Sequence, residues 1–177
     1  MKKFVLSLLV ALMGVTASAQ VYVGGGVGFW RDADANTTDF TIAPEVGYNL
    51  DANWDLGIQF GYSHAYNKGV KGNALEVNPY ARYTFAKFGA VSLFADITAG
   101  VQSYKIKGLD SQTGWQAGVK PGVRVNLAKN VDFVAHCGFL GYRDADDQYC
   151  AYDTNHGNGF GFNLDANNLV FGINYRF

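Results

Sequence analysis

Ser92, Asp96 and His136 are the residue types from which a nucleophile, an orienting carboxylate and a general base are assembled. Ser92 and Asp96 are four residues apart, which on a strand places both on one face. His136 belongs to a different segment. A working triad needs mutual hydrogen-bond reach, and no local nucleophile motif surrounds Ser92. The expectation is therefore a satisfied interior histidine and no catalysis. A second candidate is the stretch 142–167, where Asp144, Asp146, Asp147, Asp153 and Asp165 stand near Asn155, His156 and Asn158. Its carboxylates could hold Ca²⁺, but the spacing of an EF-hand loop is absent. A solvated acidic loop is expected, with no metal and no cofactor.

The elements that position these groups are written in the alternation of the chain. In the last nine residues the odd positions read Leu169, Phe171, Ile173, Tyr175 and Phe177, against Val170, Gly172, Asn174 and Arg176. Successive side chains of a strand point to opposite faces, so one face is wholly apolar and the other mostly small or polar. Seven earlier segments alternate in the same way. Their apolar faces run Val21–Phe29, Phe40–Leu50, Trp54–Tyr62, Leu75–Phe85, Val91–Val101, Trp115–Leu127 and Val131–Phe139. The opposite faces carry the acids Glu45, Asp55, Glu76, Asp96 and Asp132, the bases Arg82, Lys120, Arg124 and Arg176, and His136. Glycines between them leave room for Tyr22, Tyr80 and Phe94.

Connections alternate too. Those at 51–53, about 86–90 and 128–130 are short; those at roughly 31–38, 63–73, 103–113 and 142–167 are longer and polar. A membrane barrel has tight turns at one end and long loops at the other. Aromatic residues sit near both ends of the apolar faces: Tyr48, Trp54, Tyr83, Phe85 and Phe133 at the short-turn end, Phe60, Tyr62, Trp115 and Phe139 at the other. Two aromatic girdles around an aliphatic band are what interfacial anchoring requires. A soluble ligand-binding barrel would turn its aromatics inward. The predicted fold is all-β, an eight-stranded antiparallel up-and-down transmembrane β-barrel.

Residues 1–19 read as a signal peptide: Lys2 and Lys3, a short apolar core, then Ala17-Ser18-Ala19. Residues 20–177 form the barrel domain, 177 − 19 = 158 residues. Removing two lysines leaves 14 − 2 = 12 basic against 15 acidic residues, a balance that gives no reason to expect nucleic acid. Two cysteines, Cys137 and Cys150, are too few for a disulfide scaffold. Cys137 shares the parity of the lipid face and Cys150 lies in the longest loop, so two free thiols are expected.

A repeat underlies the segments. Pro44 to Leu50, Pro79 to Phe85 and Pro121 to Leu127 align without gaps, and Phe171 to Phe177 is a fourth copy. Proline forfeits a ladder hydrogen bond, so local bulges are expected there. With the signal, the eight segments and the terminal Tyr-Arg-Phe, this repeat resembles the small outer-membrane β-barrel family of OmpA/OmpX type, in the style of barrel-only members from Bacteroidetes-like bacteria. The resemblance implies a monomer in the outer membrane, and an even strand count puts both termini at the short-turn, periplasmic end. It also implies contact with lipid and lipopolysaccharide, and an assembly signal at Tyr175 and Phe177 read by the barrel assembly machinery. A surface-interaction role, in adhesion or envelope integrity through an unknown extracellular ligand, is expected first. A narrow channel, or a route for a small apolar molecule, stands as the alternative, and an outer-leaflet lipid enzyme after it. Eight strands leave an interior just wide enough for side chains to fill. The inward charges are therefore expected to form a paired plug.

Overall fold

The computed structural model describes residues 21–32, 36–67, 70–106, 108, 110–144, 159–163 and 170–177. Residues 1–19, which the sequence reads as a signal peptide, Cys150 and the aspartates between 146 and 165 lie outside the described residues. Among the described residues ten β-segments follow in order: β1 Val21–Asp32, β2 Thr37–Asn49, β3 Trp54–Asn67, β4 Val70–Phe88, β5 Val91–Ile106, β6 Gln112–Ala128, β7 Val131–His136, β8 Phe139–Asp144, β9 Gly159–Asn163 and β10 Val170–Arg176. Every pairing is antiparallel, and each of β1 to β6 pairs the next. β6 then pairs both β7 and β8, which make one strand; β10 and β9 pair these in turn and make the last. β10 returns to β1 and closes the ring. The wall is an eight-stranded barrel.

Strand length departs from expectation. The polar stretches read as loops around 31–38, 63–73 and 103–113 are entered by strand from both sides, and most described residues of 63–73 are paired, because β1 to β6 run for 12 to 19 residues. About 9–11 residues cross the hydrocarbon of a bilayer. The remainder continues as paired hairpin, which needs no apolar face once it stands in water. The short-end turns are tight, as at Gly89-Ala90.

Each proline sits where the ladder toward the following strand is interrupted. β2–β3 pairing skips Ala43 and Pro44, and β4–β5 pairing skips Asn78 and Pro79, in both cases without change of register. The freed Pro79 carbonyl accepts the Thr98 hydroxyl at 3.0 Å. Across the other ladder Gly25 faces Pro44 with φ of 147°, and a Cβ there would fall 2.6 Å from the Pro44 Cα. Glycine is required at that position. The expected bulge occurs at Pro121 alone. Gly122 pairs His136 but Val119 pairs Leu140, so β7–β8 carries one residue more than β6. The Cys137 amide donates to the Pro121 carbonyl across the bulge, at 3.0 Å.

That extra residue corrects the reading of the seventh strand. One inserted residue exchanges the two faces beyond it. Phe139 was expected in the outer girdle, yet its ring lies inside, against Gly118 and Gly141, with the Arg143 guanidinium 5.0 Å from its centroid. Leu140, expected inward, is 44% exposed on the outer wall, and Tyr142 follows it. β9 keeps this parity, with Phe160 and Phe162 outward opposite Tyr142 and Leu140.

Candidate functional site

The lumen gathers the chemistry, because side chains of one parity from all the strands converge there. Glu45, Asp55, Arg82, Asp96, Arg124 and Asp132 are buried, and Arg82 is 0% exposed. Glu76, Lys120, His136 and Arg176 are half-buried. The charges pair in two layers.

In the inner layer Arg82 donates from Nε and Nη2 to the two oxygens of Asp96, at 2.6 and 2.8 Å. Its Nη2 also lies 3.6 Å from Glu45. The guanidinium carbon stands 4.3 Å from the Phe94 ring centroid and 5.0 Å from that of Tyr80. Tyr80 donates to Glu45 at 3.0 Å and shares a 2.8 Å hydrogen bond with the Tyr22 hydroxyl, while Asn174 donates to the other Glu45 oxygen. His136 Nε2 meets Asp96 at 2.8 Å with its ring edge-on to Phe94. Nearer the short turns, Arg124 pairs Asp55, to which Asn49 also donates. Arg176 pairs Asp132 at 2.6 Å, and Asn126 donates to it at 2.7 Å.

A buried ion is tolerated only when paired and hydrogen-bonded. Glycine makes the space for this. A Cβ on Gly57 would stand 2.5 Å from the Tyr80 Cζ, and one on Gly47 would collide with the Tyr22 ring.

Glu76 and Lys120 belong to neither layer. Glu76 accepts from Asn78 at 3.1 Å, and Gln116 links Asn78 to Arg143. Arg143 and Asn174 were missed in the sequence. Arg143 lies beyond the bulge on the exchanged face; Asn174 was placed inward, but its bond to Glu45 depends on the stagger between strands. His136 and Asp96 are brought together, as two members of a triad would have to be. Ser92 is not brought to them: it lies four residues along β5 from Asp96, about 13 Å at ~3.3 Å per residue. Both Asp96 oxygens are occupied by Arg82 and His136. Among the described residues no cluster of three or more metal-ligating side chains occurs.

On the outer wall, Phe60, Tyr62, Tyr83, Phe85 and Trp115 are exposed, while Tyr48, Trp54 and Phe133 are half-buried among neighbours. Trp54 packs on Tyr83 with centroids 4.7 Å apart, Phe133 on Phe171 at 5.6 Å, and Tyr175 on Phe177 at 5.1 Å. In water this belt would be an aggregation hazard; in lipid it is an anchor.

A closed antiparallel barrel, apolar outside and charged within, defines a membrane-barrel class of protein. The chain belongs to the outer membrane protein β-barrel domain family, whose model matches residues 4–177. It is 25% identical over 150 residues to an uncharacterized protein of Haemophilus influenzae strain Rd, covering 74% of this chain and 84% of that one. Its fold is similar to the N-terminal β-barrel domain of Pseudomonas aeruginosa OprF, with a TM-score of 0.53 and 16% identity, over 90% of this chain and 98% of that one. The chain is an outer-membrane β-barrel protein.

Proposed function

We propose that this chain is a closed structural and surface-interaction protein of the outer membrane, serving adhesion or envelope integrity through the hairpin ends that stand beyond the bilayer. The observation that carries the reading is the lumen network around Arg82, whose paired side chains occupy the path a solute would take. An eight-stranded wall has little width left once these are in place. In this reading the termini are periplasmic and the long hairpins face outward, toward lipopolysaccharide and an extracellular ligand. The barrel works as a monomer without a cofactor, and the assembly machinery reads Tyr175 and Phe177. Non-catalytic action is supported by the engagement of Asp96 with Arg82 and by the distance of Ser92.

Deleting the chain from its host tests this. Resistance to detergents and large antibiotics, or surface attachment, should fall while uptake of small hydrophilic solutes is unchanged. Reduced solute uptake with an intact permeability barrier would favour a transport role instead. Turnover of labelled lipid A by the purified protein would favour the enzyme reading.

A further inference from the structure

The lumen is not filled evenly. On the long-hairpin side of the Arg82 network lies a cavity of about 220 Å³, bordered by Glu76, Lys120, His136, Asn78, Thr41 and Ser63 among others. At ~30 Å³ per water it has room for several waters or for one small organic molecule. Most of its bordering side chains carry a polar group, although carbon atoms make up much of the surface they present to it.

Two full charges face this space that the plug does not use. Lys120 lies within electrostatic reach of Glu76, Asp96 and Arg143. Its direct neighbour in the β5–β6 ladder is Asp96, but that carboxylate is taken by Arg82 and His136. Lys120 and Glu76 do not meet as an ion pair; Glu76 is held instead by Asn78. The cavity is thus bordered by a separated pair of opposite charges. Separated charges in a part-enclosed lumen are less well hydrated than in bulk water, so a molecule that bridges them is favoured. Two further features border the pair. Arg143, tied to Gln116, adds positive potential on the Lys120 side. Thr41 and Ser63, hydrogen-bonded to each other at 3.1 Å, offer neutral partners on the opposite wall.

We infer that this cavity binds a small zwitterion of the α-amino acid class, with its carboxylate at Lys120 and its ammonium toward Glu76. A simple anion satisfies Lys120 but leaves Glu76 uncompensated, and a simple cation does the reverse. A molecule carrying both groups compensates the two together. The site is a dead end, because the Arg82 network closes the lumen behind it. It binds without conducting.

The test uses the full mature chain refolded in detergent, with folding confirmed by the shift in gel mobility between unboiled and boiled samples. Titration calorimetry is run with L-alanine, propionate and ethylamine as probes. Alanine should saturate, and the other two should bind at least about tenfold more weakly, the scale of losing one charged hydrogen bond. Lys120→Met and Glu76→Gln should each weaken alanine binding by a similar factor. The comparison of three probes on the unaltered chain stands whether or not either variant folds. No saturable alanine binding, or equal binding of all three probes, overturns the inference. So does alanine affinity unchanged in both folded variants.

Discussion

Arg82 and Asp96 are direct neighbours in the β4–β5 ladder, so the register of two strands delivers a guanidinium to a carboxylate through two bonds of 2.6 and 2.8 Å. Neither side chain is exposed beyond 5%. Removing Arg82 takes the guanidinium from two buried carboxylates, leaving Asp96 only His136 and Glu45 only its neutral donors; breaking buried pairs costs about 3–5 kcal/mol. Arg82→Met should lower unfolding stability of the refolded barrel by that order, read by urea denaturation in lipid vesicles. The double variant Arg82→Met, Asp96→Leu should recover a large part of the loss. A single variant as stable as the parent would show that the pair does not organise the lumen.

The tyrosine layer depends on absent side chains. Gly57→Ala would set a methyl 2.5 Å from the Tyr80 Cζ, while the Tyr80 hydroxyl is held by Tyr22 and Glu45. Overpacking of this kind costs roughly 1–3 kcal/mol. Gly28→Ala, whose Cβ would meet only Thr41 at 3.8 Å, is the control and should be near neutral. The same urea titration checks both; equal effects would contradict the packing described.

The bulge opposite Pro121 assigns faces that simple alternation reverses. A spin label at Leu140→Cys should be mobile and reached by oxygen from the lipid phase. The same label at Phe139→Cys should be immobilised inside the wall. Exchanged accessibilities would mean that the strand continues without its extra residue.

The turn after β2 is closed by Asp51, whose carboxylate accepts the Asn53 amide at 2.7 Å and the Trp54 amide at 2.9 Å. These bonds hold its pKa below the ordinary 3.8. A depressed carboxylate contributes stability above its unfolded pKa and loses that contribution as pH falls through its folded value. The difference in stability between the parent and Asp51→Ala should therefore be full at pH 7 and shrink below about pH 3.8. Unfolding titrations across that range provide the check, and a difference that grows on acidification would refute the sign.

Much of this was legible in the sequence because a strand writes its two faces with period two. The outward Phe60, Tyr83 and Trp115 and the inward Arg82, Asp96 and Arg124 follow from parity alone. Parity gives a face but not a height. The meeting of Arg124 on β6 with Asp55 on β3, across the lumen, depends on the stagger of non-adjacent strands. Phe139 was misplaced because one inserted residue reverses every later assignment, and its cues were slight: Gly138, then outward Leu140 and Tyr142. The extended hairpins were read as loops for a related reason. Outside the bilayer a paired strand can be polar on both faces, so 63–67 and 70–73 carry no apolar signature although they pair.

Planar-bilayer recording of the purified, refolded chain tests the central claim most directly, since the claim is that paired side chains close the lumen. The account predicts a flat baseline at voltages and salt concentrations where open porins give steps. Stable unit conductance steps of a single size, from protein shown by gel mobility to be folded, would contradict it.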